Sequence, residues 1–272
     1  MLDREMTIQI IHSSRLQFAL DISQRAADLI LQHYQSQTLG IESKADDSPV
    51  TVADRGAEQL IRDALSEAFP EDSILGEEFD DVVGTSGYRW VLDPIDGTKP
   101  FIYGVPLFGT LIGIEFQERM VAGVCRLPAL NEVVYAEEGG GAWWKIGRGE
   151  PRPAKASAVS ELQEARLIFT EPTADRKVGR GDVLPEFLRQ VRIARGWGDC
   201  YGHILVATGR ADIALDPQMS AWDIAALIPI VRESGASCSD WKGDENIFGG
   251  DGVSIAPRLR DSVLNILKPW AH

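Results

Sequence analysis

The sequence predicts a layered α/β fold, and three observations carry that expectation. Two amphipathic helical stripes open the chain, a block of short β-prone runs follows, and the remainder alternates strand-like and helix-like segments. Over residues 16–34 the apolar positions Leu16, Ala19, Leu20, Ala26, Ala27, Leu29, Ile30 and Tyr34 recur at helical spacing, with Ser13 or Ser14 as cap. A polar stretch leads to the second stripe, Ala57, Leu60, Ile61, Ala64, Leu65 and Phe69, which stops at Pro70. Runs at 89–92, 107–116, 120–126, 132–136 and 142–145 are punctuated by Gly, Pro or Asn and predict a largely antiparallel meander. Pro151 and Pro153, with Lys155, Ala156 and Ser157, mark the best boundary, dividing 1–150 from 151–272. The second half reads as strand 167–170, helix 184–191, helix 201–208, strand 211–215 and helix 222–234. Pro229 should kink or divide the last of these.

Composition narrows the function classes. In 272 residues there are 27 Lys plus Arg against 41 Asp plus Glu, a formal net charge of −14. Such an excess argues against the phosphate backbone of nucleic acids and against anionic membranes, and leaves cations, cationic ligands and metal-bridged anions as natural partners. Cys125, Cys200 and Cys238 lie far apart without a Cys-x-x-Cys pair, and His12, His33, His203 and His272 are equally scattered, so neither a disulfide framework nor a zinc site is suggested. The first residues carry Asp3, Arg4 and Glu5 with no apolar core of signal-peptide length, and no run reaches the ~18 apolar residues of a membrane span. A cytoplasmic location is expected.

The informative segment is Trp90-Val91-Leu92-Asp93-Pro94-Ile95-Asp96-Gly97-Thr98. An apolar strand runs into Asp93, Pro94 locks a turn, and Asp96-Gly97-Thr98 has the composition of a turn entering a helix. Two carboxylates there can face one point, and like charges ~4 Å apart repel by about 1 kcal/mol in water and more when desolvated. A divalent cation reverses that penalty, and an oxygen-only donor set selects Mg²⁺, Mn²⁺ or Ca²⁺ over Zn²⁺. Taken alone, the segment serves equally well as a strand end followed by a helix cap. Glu77 and Glu78 follow a short apolar run, 73–75, where a solvated loop is the commoner fate. Thr51-x-x-Asp54 and Ser220-x-x-Asp223 both read locally as capping boxes.

As a set these residues point further. Gly76-Glu77-Glu78, Asp93-Pro94-Ile95-Asp96-Gly97-Thr98, and Trp222-Asp223 ahead of Glu233-Ser234-Gly235-Ala236 resemble the inositol monophosphatase family of metal-dependent, lithium-sensitive phosphatases. Asp96 to Lys99, Val105 to Thr110, and Trp197-Gly198-Asp199-Cys200-Tyr201-Gly202 before Leu205 to Gly209 are most similar to its histidinol-phosphate phosphatase branch. The resemblance implies a five-layered αβαβα sandwich of the inositol monophosphatase and fructose-1,6-bisphosphatase type, commonly dimeric. It implies that Glu77, Asp93 and the Ile95 carbonyl hold one Mg²⁺, and that Asp93, Asp96 and Asp223 hold a second. Glu77 would help with a weaker third, and Mn²⁺ is an acceptable substitute. Asp54 and Thr98 would orient the attacking water, the Gly97 and Thr98 N–H groups would receive phosphate oxygens, and Lys44 would lie on a metal-site loop.

Phosphate-monoester hydrolysis is among the slowest uncatalysed reactions, and no phosphoryl-accepting nucleophile is evident, which agrees with a cation-based route. For substrate, Asp216 matches the position where inositol phosphatases carry a glutamate, and Asp199 falls in the neighbouring pocket segment. Two carboxylates there suit the ammonium and imidazole of histidinol phosphate better than the hydroxyls of inositol phosphate. Pro100 departs from the family pattern but is tolerable in a first helical turn. Gly139-Gly140-Gly141 lacks the Gly-Lys-Ser/Thr ending of a phosphate loop, Trp143-Trp144 as a base-stacking platform conflicts with the charge, and a non-catalytic metal-binding protein conflicts with the intact acidic set.

Overall fold

The computed structural model describes residues 12–36, 41–43, 49–173 and 179–271. Helix α1 (Ser14–His33) begins where the Ser13 hydroxyl accepts the Leu16 N–H at 3.2 Å, and it buries Leu16, Ala19, Ile22, Ala26 and Ile30. Strands β1 (Ile41–Ser43) and β2 (Pro49–Thr51) form an antiparallel ribbon that enters α2 (Val52–Ala68). The buried stripes of both helices pack on Trp90, Leu92, Ile112, Ile114 and Val124, one face of a seven-stranded sheet.

That sheet runs in sequence order: β3 (Ser73–Gly76), β4 (Tyr88–Asp96), β5 (Gly109–Phe116), β6 (Arg119–Leu127), β7 (Glu132–Glu137), β8 (Gly141–Ile146) and β9 (Arg152–Pro153). Only the β3/β4 pair is parallel, so the expected antiparallel meander is present. A short α3 (Thr98–Ile102), with Pro100 inside it, follows β4. β9 lies past residue 150 and completes the first sheet, its proline on an edge strand where the missing N–H costs no ladder bond.

The second half contains β10 (Arg166–Phe169), α4 (Val183–Leu188), β11 (Ile193–Arg195), α5 (Asp199–Ala207), β12 (Ile213–Asp216), α6 (Ala221–Ala225), α7 (Leu227–Glu233), β13 (Ser237–Ser239), β14 (Gly252–Ile255) and α8 (Arg260–Leu267). Its mixed sheet has the order β11-β10-β12-β14-β13. Helices α5, α6 and α7 lie between the two sheets, while Val183, Leu184, Phe187, Val263 and Leu267 of α4 and α8 cover the outer face of the smaller one. The result is the αβαβα sandwich. The helix over 222–234 is divided, as Pro229 leads one to expect: two helices meet at Ala226, and Pro229 has no N–H to give the Ala225 carbonyl.

The middle layer approaches the large sheet closely at two glycines. Gly113 and Gly123 face each other across β5 and β6, and a Cβ on Gly123 would lie 2.1 Å from the Ala226 carbonyl oxygen. Any side chain there would lift α6 and α7 off the sheet, together with Asp223.

Candidate active site

The register of β4 against β5 explains why two aspartates three residues apart converge. Asp93 pairs with Leu111 and Asp96 with Gly109, so three steps on β4 oppose two on β5. That bulge reverses the alternation that would otherwise send residues i and i+3 to opposite faces. Pro94, lacking an N–H, tolerates the broken ladder, and its carbonyl accepts the Thr110 hydroxyl at 2.9 Å. Asp223 arrives from the first turn of α6, where its Oδ2 accepts the Ser220 N–H at 2.7 Å. Ligand-capable oxygens of Asp93, Asp96 and Asp223 lie within 4.8 Å of one another.

Asp54 joins them from the first turn of α2. Its Oδ2 accepts both the Thr51 N–H, at 2.8 Å, and the Thr51 hydroxyl, at 2.5 Å. Glu77 follows β3 and lines the same cleft. The segment after β3 is clamped by a buried pair on α2: Arg62 Nε donates to Glu58 Oε1 at 2.7 Å, Glu58 Oε2 accepts the Glu78 N–H at 2.9 Å, and Arg62 also reaches the Phe79 and Asp80 carbonyls. Sequence reasoning passed over Glu58 and Arg62; their i,i+4 spacing on a helix is the signal that could have found them.

Among the described residues, burial and neighbouring carboxylates are what raise the carboxyls of the cluster. Burial, then Glu77, Asp96 and Asp223, push the Asp93 carboxyl well above the usual carboxylate range; burial, then Asp199 and Asp223, do the same to Asp96. Burial raises Asp223 to about 7 and Asp54 to about 6, with Glu77 contributing to both. Asp96 Oδ2 is held by the Cys200 N–H at 2.5 Å, but Asp93 Oδ1 is buried with no hydrogen-bond partner among the described residues. An orphaned carboxylate oxygen among repelling neighbours, with only oxygen donors, fits hard divalent cations. The cluster can hold a metal.

The cleft above these residues has a volume of about 730 Å³ and extends along Gly97, Thr98, Lys99, Trp197, Asp199 and Asp216. Gly97 caps α3 at φ +82°, a left-handed conformation that a side chain would strain. The Thr98 hydroxyl donates to the Ile95 carbonyl at 3.1 Å. Asp54 and Thr98 are therefore engaged separately, with Thr51 and with Ile95. Asp199 has φ +53° and lies beside Gly97, where a Cβ would meet its Oδ2 at 3.4 Å. Burial, then Asp216 and Asp223, raise it to about 7. It thus borders the carboxylate cluster as well as the pocket.

Asp216, at the end of β12, is different. Its Oδ1 accepts the Thr170 hydroxyl and its Oδ2 meets Nε2 of the fully buried His203 at 3.0 Å. Sequence reasoning treats His203 as one of four scattered histidines; its partners lie on other elements, so no local pattern reveals them. Lys44 lies outside the described residues.

Comparison with known proteins adds the following. Residues 12–268 match the profile of the inositol monophosphatase family. The chain is 44% identical over 241 residues to a histidinol-phosphatase of Chlorobaculum parvum, covering 89% of this chain and 91% of that one. It is 36% identical to a histidinol-phosphatase of Mycobacterium tuberculosis, covering 93% and 97%. Among solved structures, the extragenic suppressor protein suhB of Bartonella henselae superposes with a TM-score of 0.85 at 28% identity, over 94% of this chain and 99% of that one.

Proposed function

Because this chain belongs to the inositol monophosphatase family, we propose that the cleft carries out Mg²⁺-dependent hydrolysis of L-histidinol phosphate to L-histidinol and phosphate, a step of L-histidine biosynthesis. The chain is a phosphoric monoester hydrolase, a histidinol-phosphatase within a metal-dependent family. The observation that carries the catalytic reading is the convergence of Asp93, Asp96 and Asp223, with a buried Asp93 oxygen that has no hydrogen-bond partner among the described residues.

In this reading Glu77, Asp93, the Ile95 carbonyl, Asp96 and Asp223 hold two or three Mg²⁺ ions, with Mn²⁺ an acceptable substitute. Bound there, divalent cations activate a water and stabilise the attacking and leaving oxygens of an in-line displacement. The residues supply the rest. Thr51 fixes Asp54 by two hydrogen bonds, so its carboxylate is a stationary partner for the attacking water. The Thr98 hydroxyl gives its proton to Ile95 and keeps lone pairs to accept one from that water. The Gly97 and Thr98 N–H groups, at the start of α3, receive phosphate oxygens. Asp199 and Asp216 line the cleft beyond them and face the substrate's cationic tail, while the ring of Trp197, about half exposed, borders the same space.

A homodimer in the cytoplasm completes the proposal; the three buried free cysteines support a reducing compartment, and light scattering tests the dimer. Among the described residues no helix is long and apolar enough to cross a membrane. The substrate assignment is tested by phosphate release in saturating Mg²⁺. Histidinol phosphate should exceed inositol 1-phosphate in kcat/KM by at least about tenfold, a discrimination of ~1.4 kcal/mol; equal or reversed efficiencies refute it.

A further inference from the structure

The group the mechanism leaves unused is His203. It sits on α5, fully buried, with Nδ1 2.8 Å from the Ser254 hydroxyl and Nε2 3.0 Å from Asp216 Oδ2. Ser254 belongs to β14 and Asp216 to the neighbouring β12, so the ring spans two paired strands from the helix above them. The other oxygen of Asp216 is held by Thr170 at the end of β10, and the same Thr170 hydroxyl accepts the Asp199 N–H at 3.0 Å. One connected network therefore runs from Ser254 through His203, Asp216 and Thr170 to the backbone of Asp199, and both of its carboxylates line the substrate cleft.

We propose that His203 is a positioning residue for substrate selection: it locks Asp216 in one rotamer and, through Thr170, fixes the Asp199 backbone that shares the task of receiving the substrate's cationic tail. The ring itself touches neither the phosphate end of the cleft nor the carboxylate cluster, so its influence reaches the substrate through Asp216 and Asp199. A short carboxylate left without these two donors would swing among rotamers, and each swing misplaces the acceptor that a substrate ammonium or imidazole must meet. Burial alone would favour the neutral imidazole, but the hydrogen bond and charge of Asp216, with Cys238 beside it, raise His203 to about 10. At neutral pH both ring nitrogens are then donors, one to Ser254 and one to Asp216.

This inference rests on the histidinol phosphate reading, and its test separates the two. His203→Asn keeps an amide near the Nδ1 position but cannot reach Asp216, whereas His203→Gln places an amide near the Nε2 position and can still donate to it. Kinetics in saturating Mg²⁺ are measured on histidinol phosphate and on phenyl phosphate, whose tail offers nothing to a carboxylate. His203→Asn should raise KM for histidinol phosphate about tenfold with kcat within about twofold, and leave phenyl phosphate unchanged. His203→Gln should recover most of the KM. Equal changes on both substrates, or none on either, overturn the positioning role. If His203→Asn gives no cooperative melt, His203→Gln alone is decisive, with a KM rise of about threefold confined to histidinol phosphate. If the wild-type enzyme prefers another phosphate, the substrate reading fails, and the same comparison between that phosphate and phenyl phosphate decides the role of His203.

Discussion

The two ends of the cleft treat buried carboxylates in opposite ways. At the floor, Asp93, Asp96 and Asp223 crowd together with Glu77 and Asp54 nearby, and the Asp93 Oδ1 finds no hydrogen-bond partner among the described residues. At the far wall, Asp216 is equally out of water, yet each of its oxygens has a donor, and one donor is a histidine held at its other nitrogen by Ser254. Burying a carboxylate is costly unless it is paired and hydrogen-bonded. The wall meets that condition with the chain's own groups, whereas among the described residues the floor leaves a carboxylate oxygen without a donor and suits an added cation. A protein that needed the floor for stability alone would have furnished it like the wall.

The largest expected effect separates function from stability. Asp93→Asn should lower kcat/KM in Mg²⁺ by more than about 10³-fold, roughly 4 kcal/mol of transition-state stabilisation. In chelator the same variant should melt higher than wild type, since it removes one of several buried like charges. Retained activity, or a lower melting temperature without metal, would contradict this reading. Asp216→Asn is the counterpart at the wall. It keeps one amide oxygen as acceptor but removes the negative charge beside the buried His203 ring, and should destabilise the fold by about 3 kcal/mol with or without Mg²⁺, as read by denaturant titration.

The pH dependence separates the ends again. Asp54, raised to about 6, and Asp223, raised to about 7, bind protons more tightly folded than unfolded. Their contribution to stability is complete below the ordinary carboxylate range near 4 and is lost as pH rises through 6 to 7. Metal-free protein should therefore melt lower at pH 7.5 than at pH 5.5, and saturating Mg²⁺ should remove the part of the difference that these two carboxylates contribute. His203, raised to about 10, loses its contribution between about 6.5 and 10, and Mg²⁺ should leave that loss in place. The smallest effect is at the clamp on the Glu77 segment. Glu58→Gln should raise the half-saturating Mg²⁺ concentration about threefold to tenfold with kcat at saturation nearly unchanged, in keeping with the effect of losing a group that orients a metal ligand.

Where a functional residue is set by local chain geometry, the sequence shows it. Thr51-x-x-Asp54 and Ser220-x-x-Asp223 are both capping boxes in the structure, and each cap holds its aspartate near Asp93. In the proposed mechanism the capping aspartates also serve catalysis. Asp93 and Asp96 were legible as a pair, but the reason they converge is a register shift against β5, which depends on the pairing partners Leu111 and Gly109 on another strand. Short strands such as β3, β13 and β14 carry too few residues to establish a period. Gly123 falls inside a predicted strand run without distinction, while its use is to admit the Ala226 carbonyl from a helix a hundred residues later. The His203 network joins four separate elements, and only the packing of α5 on the smaller sheet brings them together.

The net charge of −14 gains a location through this account. Five of the acidic residues, Asp54, Glu77, Asp93, Asp96 and Asp223, gather at one floor, where two or three divalent cations would return +4 to +6 and leave the positive potential where a phosphate must bind. The decisive measurement is a Mg²⁺ titration of the metal-stripped protein at pH 7.5, following melting temperature and histidinol phosphate hydrolysis in the same samples. Both should rise from the metal-free baseline over the same range of Mg²⁺ concentration. Full turnover in chelator, or a melting temperature indifferent to Mg²⁺ while turnover appears, would contradict a floor built for cations.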